Sequence, residues 1–431
     1  MNISFETTSF KLTEKSLIFS LLLLNFFIIP GHLPGISVVS IEYIKQLVLI
    51  TSAILILIWV SPEMAKKKYL NIVLYLFIGL VTYFTISLFW SVSLFNSFRY
   101  INKVWLTLAL ILMFLSISQE NKRQFVFLFG KFLWAYILLS FFSEFFLRDL
   151  IHPNLMNDSR FAGFSGIHST KYIFSIGTIY FLMFGFFYKK KSDILGFILC
   201  LLIALLSLQR ALIGALFLSV IIIYALHLIK IKKVKILLQT IVFAVTTTIL
   251  SFFLVFEFPP LKERMFYSDN HALVAKKLIL SGDIIEVYSL VQKSGREDFW
   301  SAAQLNENPL IGNGFGTAGY FVEMKIGEYW EMHNDYLKLY VETGYIGVIF
   351  YLCFIVGYFI FVSFRIFNCK SLFSLCLYYM ALGVFLITPL NGLFDNGLDH
   401  IAKNICFSLL IFITSYSAEQ KSATKYKIIS T

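Results

Sequence analysis

The sequence predicts an all-α polytopic membrane protein with about twelve transmembrane helices and one large extracytoplasmic loop between the ninth and tenth. Three observations predict it. Of 431 residues, 58% are hydrophobic and only 14% charged, too little charge to cover a soluble domain of this length. Apolar runs long enough to cross a bilayer recur from end to end. Short basic clusters separate these runs and fall on alternate loops, as cytoplasmic loops do.

Taken in order, the runs place spans near 14–30, 43–60, 69–90, 101–118, 124–147, 170–188, 194–209, 211–229, 236–256, 336–361, 371–390 and 401–416. The first has the short apolar core, Leu17 to Ile29, of a signal h-region. It ends at Pro30-Gly31 without a small-x-small cleavage pattern and is kept as a span. With that span running outward, Lys66–Lys68, Lys122-Arg123, Lys189–Lys191, the Lys230–Lys235 group, Arg365 with Lys370, and Lys421, Lys425 and Lys427 all become cytoplasmic. Both termini are then expected to be cytoplasmic. The net charge of +11 follows from these loops. A nucleic-acid partner is excluded, because no contiguous basic face interleaved with aromatics is present. Cys200, Cys353, Cys376 and Cys406 lie inside apolar runs and Cys369 beside basic loop residues, so neither disulfides nor a thiolate metal site is implied.

The outward loops carry the polar chemistry. One, "RDLIHPNLMNDSRFAGFSGIHSTK", is of medium length; the other runs from Glu257 to His333 and is the only sizeable polar segment. Loops of that length inside a compact fold are functional or disordered. The aromatics Phe299, Trp300, Tyr320, Phe321, Tyr329 and Trp330 predict an ordered cap with short helices. The chain divides as 1–256 (helices 1–9), 257–335 (the extracytoplasmic loop) and 336–431 (helices 10–12 and a cytoplasmic tail), one membrane domain overall.

Four features bear on function. In "LLSLQRALIGAL", Arg210 stands between two apolar runs with no room for a loop. It is either a snorkelling headgroup contact or a fixed outer-face cation suited to phosphate. In "SGREDFWSAAQLNENPLIGNGFGTAG", Arg296 to about Asn306 reads as a short helix ended by Pro309. Gly312, Gly314 and Gly316 then mark a turn where backbone approaches something closely. Lastly, "WEMHNDYLKLYVETGYIGVIFYLCF" puts His333, Asn334 and Asp335 at the mouth of a span. Asn334 or Asp335 serves as a helix cap; capping leaves His333 and Glu331 unexplained. The remaining histidines (His32, His152, His168, His227, His271 and His400) are scattered without metal-ligand spacing, and His227 reads as structural. No nucleophile elbow or Ser/His/Asp ordering is found.

Three pieces in this order, "SLQRALIGAL", "GREDFWSAAQLNENPLIGNGFGT" and "HNDYLKLYVETGYIGVIFYL", resemble the O-antigen ligase and O-antigen polymerase superfamily of bacterial envelopes, over roughly residues 160–350. The His-Asn pair followed by a helix carrying Glu-x-Gly-x-x-Gly is the most specific of them. The resemblance implies a GT-C type glycosyltransferase at the periplasmic face of the bacterial inner membrane. It implies an undecaprenyl diphosphate-linked glycan donor, a glycan or lipid A-core acceptor, no metal or other cofactor, and room for a chain-length regulator as partner. By position, Arg210 and Arg296 match the family's arginines that hold the lipid diphosphate, Arg160 in "RFAGFSG" resembles an outer-loop arginine, and His333 matches the active-site histidine. Asn334, Glu331, Asp335 and Asp298 stand as supporting groups. Gln209 replaces the serine that many relatives carry before the arginine. The chemistry suits these residues independently: arginine forks stabilise a departing diphosphate without metal, and a histidine near neutral pKa takes the acceptor proton. The glycine-rich "PLIGNGFG" favours a polymerase of lipid-linked repeats, with a ligase as the alternative. A secondary transporter suits the span count but not the single polar loop.

Overall fold

The computed structural model describes residues 72–151, 160–163, 166–207, 209–231, 256–257, 262, 269–281, 296–327, 332–393, 404–416 and 418. The expected spans at 14–30, 43–60 and 236–256 lie outside these residues. Helices α1 (Ile72–Ile86), α2 (Leu94–Ser116), α3 (Gln119–Phe146), the single turn α4 (Arg148–Ile151), α5 (Gly166–Tyr188), α6 (Lys191–Leu206) and α7 (Arg210–Ile231) come first. The polar loop contributes α8 (Asp269–Ser281), α9 (Arg296–Ser301) and α10 (Ala318–Ile326). Then follow α11 (Asp335–Asn368), α12 (Leu372–Asn391) and α13 (Asn404–Tyr416). Among the described residues seven helices are long and apolar enough to cross a membrane. The expected spans from 69–90 through 211–229, and from 336–361 onward, fall on α1–α3, α5–α7 and α11–α13; of these, α6 (16 residues) and α13 (Asn404–Tyr416) are shorter than the seven. Within the polar loop the described residues include three short helices, α8, α9 and α10.

Burial decides who stands in the middle. On α12 almost every residue from Ser374 to Pro389 is buried, as on α5 from Thr170 onward. Helices apolar all round belong in a core. By contrast Leu138, Phe142, Phe145 and Phe146 on α3, and Ile349, Val356, Ile360 and Phe364 on α11, remain exposed. An apolar surface of that extent faces lipid. Helices α5 and α6 pack closely: a Cβ on Gly177 would stand 2.8 Å from Cys200 Sγ and one on Gly196 2.8 Å from Phe181. Small residues let membrane helices approach this closely. At the end opposite the polar loop, Lys230 donates to Ile366 O and, at 2.7 Å, to Cys369 O, so the α11–α12 junction and the end of α7 share one cation. Lysine there answers the last carbonyls of α11.

The decisive feature is a break in α11. Gly344 has φ 63 and ψ −169, a conformation essentially restricted to glycine. An unbroken helix would separate Tyr336 from Tyr351 by about 22 Å, yet their rings are 6.0 Å apart. Residues 335–343 therefore fold back over the end of the bundle, while 345–368 cross it alone, about 36 Å of helix against about 30 Å of hydrocarbon. Folding back brings Asp335 N to Gly392 O at 2.8 Å, Tyr336 Oη to Pro389 O at 3.0 Å, and Asn334 Nδ2 to Leu393 O at 3.0 Å. The first residues of α11 thus satisfy carbonyls at the end of α12.

A broken helix frees four carbonyls and several amides, and the glycine-rich loop meets them. Asn306 Nδ2 donates to Tyr340 O (3.1 Å), Asn313 N and Nδ2 both to Val341 O (3.0 Å), Gly314 N to Glu342 O (2.8 Å), and Tyr83 Oη to Thr343 O (2.9 Å). On the other side of the break, Tyr345 N donates to Pro309 O (2.8 Å) and Ile346 N to Leu310 O (3.2 Å). The loop is a two-sided cap. The close approach expected of its glycines is real: a Cβ on Gly312 would lie 2.3 Å from Thr343 N.

Candidate active site

His333 stands between two fixed neighbours. Met332 is wholly buried in a small core with Ala302, Ala318, Phe321, Val322 and Val341, against which Phe299 and Trp300 pack. Asn334 is the N-cap of α11: its Oδ1 accepts from Tyr336 N and Leu337 N at 3.0 Å each. The chain turns between these anchors, and His333 takes up the turn with φ 51, in the left-handed region. A non-glycine residue held there is a mark of functional sites, though histidine tolerates it better than most. Its partly exposed ring lies 5.7 Å from that of Phe299. Phe299 is one turn along α9 from Arg296, which begins that helix.

A run of hydrogen bonds and chain neighbours leads from Asp335, two residues after His333, to Gln209, the residue before Arg210. Asp335 N bonds Gly392 O, and the adjacent Asn391 donates from Nδ2 to Tyr172 Oη at 3.2 Å. Beside Tyr172, Lys171 donates through Nζ to Gln209 Oε1, and Arg210 follows as the first residue of α7. The α6–α7 turn, expected to be tight, runs only from Ser207 to Gln209. On its other flank Phe161 N donates to Leu206 O at 3.1 Å, which sets the Arg160 segment against the same turn. That segment is clamped by Glu144, whose Oε2 accepts from Ala162 N (2.9 Å) and Gly163 N (3.0 Å) while Oε1 takes Arg148. Arg148 also donates to Arg160 O at 3.1 Å. His333, Arg296, Arg210 and Arg160 consequently belong to one end of the bundle.

The supporting carboxylates sort differently. Asp335 is 1% exposed, wedged against Gly392, where a Cβ would come within 2.5 Å of its Oδ2. It is a packing and backbone anchor. Asp298 lies on α9 between Arg296 and Phe299, and Glu331 lies outside the described residues. The cap's aromatics divide too: Phe321 goes into the small core, whereas Tyr320 is 41% exposed. His227 is structural as expected, buried with Nδ1 3.2 Å from Tyr379 Oη.

Sequence reasoning missed the part Glu342 plays. Glu342 is fully buried and its Oε1 accepts from Ala318 N at 3.2 Å, tying the start of α10 to the folded-back segment. The signal for it was the Glu-x-Gly spacing, since a glycine two residues after a buried acid inside an apolar helix marks a break.

Residues 195–352 match the family model described as O-antigen ligase, a stretch from α6 through the two-sided cap and the break in α11. It contains Arg210, Arg296 and His333; Arg160 lies before it. No curated protein matches the chain. Over this segment the chain is similar to the O-antigen ligase family.

Proposed function

We propose that this protein polymerises undecaprenyl diphosphate-linked oligosaccharide repeats into a surface polysaccharide, at the periplasmic face of the bacterial inner membrane. The observation that supports the reading is the run of contacts from Asp335, beside His333, to Gln209, beside Arg210, along one end of the bundle; in this reading that end meets the lipid headgroups. In this reading the acceptor hydroxyl oxygen bonds to the donor's anomeric carbon as the bond from that carbon to the phosphate oxygen breaks. The diphosphate leaves with the electron pair, stabilised by the guanidinium forks of Arg210 and Arg296, with Arg160 beside them. The hydroxyl proton passes to His333. Tyr320 offers a stacking face for sugars.

A ligase that moves finished glycan to lipid A-core is the second reading, favoured by the description of the matched family. A transporter uses freed backbone groups at a broken helix to hold its substrate. Here the freed groups of α11 are taken by Asn306, Asn313, Gly314, Tyr83, Pro309 and Leu310, which argues against transport. The deciding experiment supplies purified enzyme in liposomes with the lipid-linked repeat alone. A ladder of longer lipid-linked chains supports the polymerase. Product formed only after lipid A-core is added identifies a ligase.

A further inference from the structure

The tip of the glycine-rich loop carries side chains that do not suit water. Leu310 is 62% exposed and Ile311 37%, at the point where the loop caps the break in α11. Next to them Tyr345 and Ile349 on α11 are more than half exposed, and Phe89, in the single turn Ser87–Trp90 between α1 and α2, is 90% exposed. The stretches that meet here, 82–91, 308–312 and 345–350, contain no charged residue. Loop tips that face water are ordinarily polar, and an exposed apolar patch marks an interaction surface.

Three spans fix the height of this tip. Tyr345 N donates to Pro309 O at 2.8 Å and Ile346 N to Leu310 O at 3.2 Å, so the tip sits on the first turn of the crossing part of α11. Residues 345–368 exceed the hydrocarbon thickness by only about 6 Å, which leaves its edge within about one turn of Tyr345. From the other side, Trp90 Nε1 donates to Ile311 O at 3.2 Å. Trp90 ends the apolar span Ile72–Trp90, and the next span begins at Leu94. The ring of Tyr83 lies 6.4 Å from that of Trp90 and 5.4 Å from that of Phe350. Tyrosine and tryptophan collect where hydrocarbon gives way to headgroups. Further along α11 the exposed stripe of Ile349, Val356, Ile360 and Phe364 leads away from the tip, which therefore extends the lipid-facing surface of that helix.

We propose that Leu310 and Ile311, with Phe89 beside them, insert into the leaflet on the polar-loop side and take its acyl chains as their partner. Bilayer lipid is the occupant because the patch is level with the ends of three spans and continuous with a lipid-facing helix face. The two-sided cap is in this way an interfacial anchor. The residues whose carbonyls cap α11 also carry the side chains that enter the lipid, so the bilayer helps to hold the break at Gly344. This holds whichever glycan the protein handles.

Fluorescence quenching in nanodiscs tests the insertion. Each disc holds one copy of the full chain in phosphatidylcholine without any glycan donor, so neither a second copy nor a polyprenyl chain covers the tip. Cys353, the exposed one of the five cysteines, is replaced by serine, and this parent sets the background labelling. Leu310→Cys is then added and labelled with a nitrobenzoxadiazole dye. Lys325→Cys, at an exposed charged position in the last turn of α10, gives the reference for water. The dye at position 310 is expected to emit to the blue of the dye at 325. It should lose intensity to phosphatidylcholine carrying a nitroxide near the top of its acyl chain, and resist iodide in the buffer. Phe89→Cys removes a side chain that packs against little, should behave as position 310 does, and decides if the Leu310 variant fails to fold. Quenching by iodide and not by the nitroxide lipid, as at position 325, leaves the tip in water and overturns the proposal. Resistance to both quenchers overturns it too, since the tip is then covered by protein.

Discussion

Replacing Gly344 by alanine puts the folded-back segment to its hardest test. The position has φ 63 and ψ −169, and an added Cβ would come 2.3 Å from Leu310 O and 2.4 Å from Leu310 C. Both neighbours are backbone, so no flexible side chain can yield. A non-glycine residue in this region costs about 1–3 kcal/mol, and forcing a methyl into a closed space costs about 1–3 kcal/mol more. The sum, roughly 2–6 kcal/mol, exceeds the net value of about 0.5–1.5 kcal/mol for any one bond of the two-sided cap. Relief requires 335–343 to swing away, which takes His333 and Asn334 from the end of α12. Apparent melting temperature in detergent should fall, protease sensitivity around the loop should rise, and activity should be lost. Gly79→Ala is the control: nothing lies within 4 Å of its Cβ, and in a helix interior the change is expected to be neutral or stabilising by up to about 1 kcal/mol. If Gly344→Ala matched Gly79→Ala in stability and activity, the break would not be what holds the site.

Three further outcomes follow from the same contacts. Asn334→Ala removes the cap of α11 and the bond to Leu393 O, and should cost about 1–2 kcal/mol of stability in thermal unfolding while the surviving folded enzyme turns over normally. Asn313→Ala loses the side-chain bonds to Val341 O and Asn306 Oδ1 and should destabilise by about 1–3 kcal/mol, read as easier proteolysis of the polar loop. Arg210→Lys and Arg296→Lys should restore little of the product lost in the alanine variants, because a point charge does not replace a planar fork; full recovery would reduce these arginines to simple charges.

The membrane spans were legible because their signal is local: an apolar stretch long enough for a bilayer needs no partner to be recognised. Asn334 was legible for the same reason, since an N-cap bonds only to amides two and three residues ahead. Gly312, Gly314 and Gly316 announced a close approach but not its target, which lies some thirty residues on at the break in α11. Gly344 was legible as part of the Glu-x-Gly-x-x-Gly motif but not as the point where the helix folds back. Its meaning depends on capping groups from Tyr83, Asn306 and Asn313, which only the fold brings together. The burial of Lys171 is a property of α5 packed in the bundle's centre. His333 gave its chemistry away by type and neighbours. The left-handed turn that holds it became visible only once Met332 and Asn334 were both seen to be anchored.

The central claim is that His333 takes the acceptor's proton at a site whose donor is held by other residues. Its most direct measurement is turnover of His333→Ala in liposomes at saturating lipid-linked donor, beside the donor's dissociation constant. The account predicts a rate lower by ~10²–10⁴-fold with donor affinity within a few-fold of wild type. A near-normal rate at saturating donor would contradict it and leave the histidine as a turn residue.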